Sequence, residues 1–206
     1  LNTSEEVSDD DEFPPLEKDN ELDGDMEKIF LYLKKRRYTK DFPDDINESV
    51  TRLDLAKNLV LISGFAYYID SYYVNGDYSD MEKTSENSKY AEIAVNQGFL
   101  EKPEKDKFVP EELATYEEIT RGLLYVLGYR EYADKMGYEA LASEIGLYEH
   151  IQKKALGDSL SFGEFSQMIY NAFHIPLVQC IEKDCEYSVV ERSGFYIVDT
   201  YIKPKN

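Results

Sequence analysis

The chain has no tryptophan, only two cysteines and only two histidines in 206 residues. That scarcity removes most metal and redox chemistry. Cys180 and Cys185 are spaced Cys-x4-Cys, which is not a zinc spacing, and there is no second pair. They form either a small disulfide loop in an exported protein or two free thiols in a turn. His150 follows Glu149 with no partner at ligand spacing, and His174 reads as a structural helix cap. Positive charge is also short: 23 Lys and Arg face 42 Asp and Glu, for a net −19. A nucleic-acid partner needs cations against phosphate, so none is expected, and an anionic membrane surface is disfavoured. No apolar run reaches the roughly 18 residues of a membrane span. Gly-x-Ser-x-Gly, a phosphate-cradling glycine loop and His-Glu-x-x-His are all missing. Carboxylates are too abundant for any pair to stand out as an acid and base. The expectation is no enzyme, no cofactor and no metal. Asp41, Asp44 and Asp45, or Asn75 with Asp77, are the candidate calcium ligands, but neither group matches the twelve-residue calcium loop. No leader is visible and residue 1 is Leu, which points to a processed or trimmed product.

What is present argues for a folded chain: 42% hydrophobic and 14% aromatic residues are ample for a core. The acidity is uneven. Residues 1–24 hold ten acids against Lys18 alone, a net of −9, and read as a disordered, solvated segment.

The organising feature is a helix start written three times. Thr51, Thr115 and Ser161 are candidate N-caps, and Asp54, Glu118 and Glu164 stand three residues on, as in a capping box. Leu55, Ile119 and Phe165 follow, then Leu59, Leu123 and Ile169 four later. Gly64, Gly128 and His174 close the helices. The three align without a gap, at intervals of 64 and 46 residues, which reads as an internal repeat. The first is expected to be amphipathic, with Leu55, Leu59 and Ile62 on one face.

A helix over 26–37 ends in Lys34-Lys35-Arg36-Arg37, where positive charge suits the helix dipole or forms an anion-binding patch. The tyrosine-rich segment 67–78 is expected to extend the first capped helix and turn at Asn75-Gly76. It is expected to pack partly buried, with sugar stacking or an interface as the alternative. Helices are expected over 88–98 and 138–147, ending at Gly98 and Gly146. Beyond Pro176, residues 186–191 and 194–202 read as a β-hairpin turning at Arg192-Ser193-Gly194.

Thr51-Arg52-Leu53-Asp54, Tyr90-Ala91, Gly98, Phe108-Val109-Pro110 and Thr115-Tyr116-Glu117-Glu118 together resemble the S-layer homology (SLH) domain of bacterial cell-surface proteins. That pattern has a helix with an aromatic-Ala pair, then Gly, a Phe-x-Pro loop and a Thr-Arg-Ala-Glu-like helix start. Phe42-Pro43 is a shortened loop element. The resemblance covers residues 25–178 as three units, near 25–66, 78–129 and 130–178, with 179–206 as a tail. It implies a mainly α fold of three tandem helix-loop-helix units around a pseudo-threefold helical bundle, with the β-hairpin appended. It also implies a secreted protein of the cell wall or surface of a Gram-positive bacterium. Its partner there is a secondary cell-wall polysaccharide, often pyruvylated, bound non-covalently with Arg52 as the ligand-binding residue. An arginine fork suits a carboxylate. The equivalents of Arg52 are Tyr116 and Phe162, which cannot pair with an anion, so a second reading stands beside the first. In it the scaffold has lost polymer binding and serves as a structural module, with another envelope protein as partner, through the 67–78 segment and the hairpin edge. On the first reading, Arg52→Ala abolishes wall binding and leaves stability nearly unchanged.

Overall fold

Each of the three repeated helices solves the same problem at its start, where the first N–H groups have no intrahelical acceptor. The computed structural model describes residues 22–76, 78–180, 187–193 and 197. Helix α1 is Met26–Lys35, α2 Arg52–Ile62, α3 Glu86–Asn96, α4 Tyr116–Val126, α5 Arg130–Met136, α6 Tyr138–Glu144 and α7 Phe162–His174, with a 3₁₀ helix at Phe65–Ser71. The protein is therefore mainly α, with eight helices among the described residues.

The capped helices are α2, α4 and α7, and all three form complete capping boxes. The third helical N–H goes to the cap hydroxyl, and the acid returns a carboxylate oxygen to the cap N–H. The first two N–H groups leave the segment altogether. Arg52 N donates to Glu112 O (2.8 Å) and Leu53 N to Pro110 O (3.1 Å). Tyr116 N donates to Asp158 O (2.7 Å) and Glu117 N to Leu156 O (3.0 Å). Phe162 N donates to Glu48 O (2.9 Å) and Gly163 N to Ile46 O (2.9 Å). Each capped helix thus hands its open donors to the lead-in loop of the next, and the third hands them back to the first. Val50, Ala114 and Leu160, the residues before the caps, are all fully buried.

The preceding helices repeat this exchange. α3 packs on α2, α6 on α4, and α1 on α7. α1, α3 and α6 also end alike: Tyr38 N, Phe99 N and Leu147 N reach back to the carbonyls of Leu33, Ala94 and Ala142. The residue before each of these is left-handed, with φ +56° at Arg37, +72° at Gly98 and +84° at Gly146. The first segment therefore places arginine where the others place glycine.

Several elements differ from the sequence expectation. α2 is not one-faced. Arg52, Lys57 and Asn58 are buried beside its apolar residues, because α3, α4 and the loops enclose it. Asn58 is satisfied there by the backbone N–H and carbonyl of Lys40 and by Asp54 O. At the α2–α4 contact, a Cβ on Gly122 would lie 2.5 Å from Leu59 Cδ1, so the two helices meet where glycine leaves room. Residues 65–71 turn as 3₁₀ rather than continuing α2. With three residues per turn, Ala66, Ile69 and Tyr72 share the core-facing side, and Phe65 at the start packs there as well. Tyr67 and Tyr68 point outward at 59% and 54% exposure, and Tyr73 reaches 86%; the expected burial holds for Tyr72 and Tyr78. The helix over 138–147 is α6, shorter than expected, and α5 precedes it. Gly137 (φ +87°, ψ 144°) separates the two.

The C-terminal expectation also changes. Strand β1 (Pro176–Cys180) pairs antiparallel with β2 (Tyr187–Ser193), with Val178 opposite Val189. Val178 N donates to Leu127 O, and Leu177 and Val178 are buried, so the chain nearest the helices is the one available to pair. The second arm of the expected hairpin, 194–202, lies outside the described residues except Ile197, which is helical. Residues 1–21 and Cys185 lie outside them as well. Leu22 packs against the core, and Asp23 pairs with His150 at 3.2 Å.

Arg37→Gly should relieve a left-handed arginine at an exposed position. Relief of roughly 1–2 kcal/mol of strain exceeds the roughly 0.5–1 kcal/mol that glycine's extra unfolded freedom costs. The expected outcome is a melting temperature higher by about 2 °C, measured by thermal denaturation. An unchanged or lower value would contradict the equivalence of Arg37, Gly98 and Gly146.

Candidate functional site

Arg52 is the first helical residue of α2, so its position is fixed by the Thr51 cap. Its side chain crosses to the second segment. Nε donates to Phe108 O (3.0 Å), Nη2 to Glu101 O (2.8 Å), and Nη1 pairs with Glu118 Oε1. The guanidinium also lies 5.2 Å from the centre of the Phe108 ring. Arg52 is 3% exposed. Burial pulls its pKa below the ordinary arginine value, with Glu112 acting the other way. Glu118 divides its two oxygens: Oε2 caps its own helix and Oε1 holds Arg52. Its partner is therefore neither Asp54 nor Asp45. Asp54 caps α2 and Asp45 holds Asn47.

The loop that receives Arg52 is itself constrained. Val109 has φ +53°, which a β-branched residue adopts only when its surroundings impose it. The Asp80 carboxylate accepts from both Phe108 N (3.2 Å) and Val109 N (2.7 Å).

Beside Arg52 lies a groove of about 70 Å³, lined by Gly98, Phe99, Leu100, Glu101, Glu118 and Arg121. Arg121 Nη2 pairs with Glu101, whose side chain is 74% exposed. The Arg121 guanidinium lies 5.0 Å from the Tyr138 ring centre and 5.9 Å from that of Tyr125. Its buried Nε has no hydrogen-bond partner. Burial opposes the charge, but bonding to Glu101 and Tyr125 outweighs it and raises the pKa further. Arg130 stacks 4.3 Å from the Tyr125 centre and donates through Nη2 to Gln97 O and Gly98 O, both at 3.1 Å. Three of the chain's six arginines thus converge on one turn, residues 97–101. Arg121 and Arg130 were not singled out from sequence. The available signal was spacing: Arg121 lies three residues after the cap acid Glu118, on the same helix face.

The positions equivalent to Arg52 are filled differently. Tyr116 is buried against Tyr148, with ring centres 5.0 Å apart, and burial raises its pKa. A cleft of about 280 Å³ opens there, lined by Tyr116, Glu139, Ser143, Tyr148, Ile151 and Lys153. Phe162 packs on Phe42 at 4.9 Å. With no arginine to supply it, Glu164 takes its cation from Lys154, at 2.9 Å.

The other candidate residues are dispersed. Asp41 pairs with Lys57 and Asp44 with Lys34, both at 2.8 Å. Asn75 N is held by Glu92, and Asp77 is outside the described residues. Among the described residues, no three His, Cys, Asp or Glu side chains gather as a metal site. His174 Nδ1 lies 2.8 Å from Tyr170 O. Within the basic run, Lys34 binds Pro43 O and Asp44, while Lys35 and Arg37 are exposed. No described helix is long and apolar enough to cross a membrane.

No protein-family model matches the chain. No curated protein matches it in sequence either.

The geometry reverses the expectation that Arg52→Ala is neutral for stability. Removing one partner of a buried pair leaves the other uncompensated, at a cost of about 3 kcal/mol. Chemical denaturation should show that loss, and a variant as stable as the parent would refute the clamp. Asp41→Asn tests a milder pair while keeping a residue tolerant of the left-handed backbone (φ +55°). Hydrogen bonding from Lys57 holds the Asp41 carboxyl below its ordinary value, against some desolvation. A depressed carboxylate stabilises above its unfolded pKa of about 3.9, and that contribution is lost as pH falls through the folded value. At 54% side-chain exposure the pair is screened to about 0.5 kcal/mol. The parent–variant stability difference should therefore be present at neutral pH and vanish in acid.

Proposed function

We propose that this chain is a divergent SLH-type module of the bacterial cell envelope. On this reading the closed exchange among α2, α4 and α7 is a pseudo-threefold arrangement of three units. The module is non-catalytic and attaches to an anionic secondary cell-wall polysaccharide at the cell surface. The observation that carries the reading is the convergence of Arg52, Arg121 and Arg130 on residues 97–101 of a strongly acidic chain. A groove with clustered arginines recognises carboxylates or phosphates through paired donors. Arg121 is the contacting residue in this proposal. Its ion pair is with the exposed carboxylate of Glu101, which a polymer carboxylate can replace, while Arg52 supports the turn from behind. Tyr125 and Tyr138 supply the ring faces on which a sugar packs.

A second reading has its own support. Tyr67, Tyr68 and Tyr73 are exposed together, and Tyr116 and Phe162 have replaced the cation in the other two units. Such a scaffold binds an envelope protein through its tyrosines.

Co-sedimentation with Gram-positive cell walls, before and after acid stripping of the secondary polymer, separates the two. The polymer reading expects binding to unstripped walls only, reduced at least tenfold by Arg121→Gln and unaffected by Tyr67→Ala with Tyr68→Ala. If Arg121→Gln binds like the parent, the groove is not the site. Absence of binding to either wall preparation excludes the polymer.

A further inference from the structure

The chain contains one Asn-Gly sequence, Asn75-Gly76, in the connection between the first two segments. Asn75 is exposed, and its side-chain amide makes only a long 3.4 Å contact with Tyr73 O. Behind it stands Glu92 of α3, 4% exposed. The Glu92 carboxylate accepts Asn75 N at 3.0 and 2.9 Å through its two oxygens, and Gly76 N at 2.9 Å through Oε1. A buried carboxylate therefore sits on the nitrogen that attacks an asparagine side chain during deamidation.

We propose that Asn75 is a site of spontaneous deamidation promoted by Glu92. Gly76 N attacks Asn75 Cγ, forming the N–Cγ bond as its proton passes to Glu92 Oε1. The Cγ–Nδ2 bond then breaks, the amide leaving as ammonia with the proton that Glu92 returns. The resulting succinimide adds one water at either carbonyl and opens to aspartate or isoaspartate. One water is consumed, one ammonia is released, and no co-reactant is needed. A positioned base within hydrogen-bond reach of the nitrogen satisfies the geometric requirement for general-base assistance. Glycine supplies the second requirement, since no side chain crowds the attacking nitrogen. The weakly held, exposed Asn75 side chain supplies the third, because its Cγ can swing to that nitrogen. The product matters to the fold. It sets a new carboxylate beside Glu92, and the isoaspartate form adds a backbone methylene that breaks the paired N–H contacts.

The test follows conversion at Asn75 by peptide mapping with mass spectrometry and by isoaspartate-specific methyl labelling, at neutral pH. The folded full chain should convert faster than the same chain unfolded in urea. Glu92→Gln, checked for folding by circular dichroism, should convert about tenfold more slowly than the folded parent. Gly76→Ala tests the same step while keeping the Glu92 carboxylate. Its Cβ would meet nothing closer than 3.5 Å, and it should also slow conversion. A folded parent slower than the urea-unfolded chain shows that the clamp protects Asn75, and a folded Glu92→Gln variant as fast as the parent shows that the carboxylate plays no part; either overturns the proposal. A Gly76→Ala variant that converts at the parent rate overturns it equally.

Discussion

The structure depends on where three helices send their first N–H groups. A buried donor without an acceptor costs roughly 1–3 kcal/mol, and a capping box answers only part of the need. In α2, α4 and α7 the box satisfies the cap and the third helical N–H, and carbonyls of another segment satisfy the first two. No segment can complete its own helix start. The exchange closes only when all three are present, which ties together helices lying far apart in sequence. The burial of Val50, Ala114 and Leu160 beside the caps follows from the same geometry.

Around that exchange several cations are placed at joints. Lys40 meets Glu86, Lys57 meets Asp41, and Arg52 meets Glu118 across segment boundaries or loops. Arg52 spends its charge inside the fold. With Glu118, Phe108 and Glu101 around it, its fork is turned inward, and the solvent-facing cation of the same groove becomes Arg121. Glu101, at the groove's edge, orients Arg121.

The connection at 72–76, where no turn forms at Asn75-Gly76, shows a third use of burial. Glu92 lies within α3 yet serves the connection that precedes it, accepting two successive backbone N–H groups. The same arrangement that fixes the chain there also brings a carboxylate to an Asn-Gly bond.

The helix starts were legible because caps are local. A hydroxyl, an acid three residues on and the apolar residues that follow satisfy one another within a single turn, so Thr51, Thr115 and Ser161 announced their helices in sequence. The glycines at 64, 98, 128 and 146 were legible for the same reason, since a left-handed residue is a local requirement. The all-round burial of α2, the outward turn of Tyr67 and Tyr68, and the pairing of 187–193 with 176–180 were decided by packing. So was the inward turn of Arg52. Its neighbours Glu101, Phe108 and Glu118 lie 49 to 66 residues away, and nothing in the chain near Arg52 specifies them. The sequence by itself determined where the three capped helices begin and where left-handed glycines stop the chain, because those signals act over three or four residues. Only the tertiary structure decided which charges face water, because burial depends on contacts between segments that no local pattern encodes.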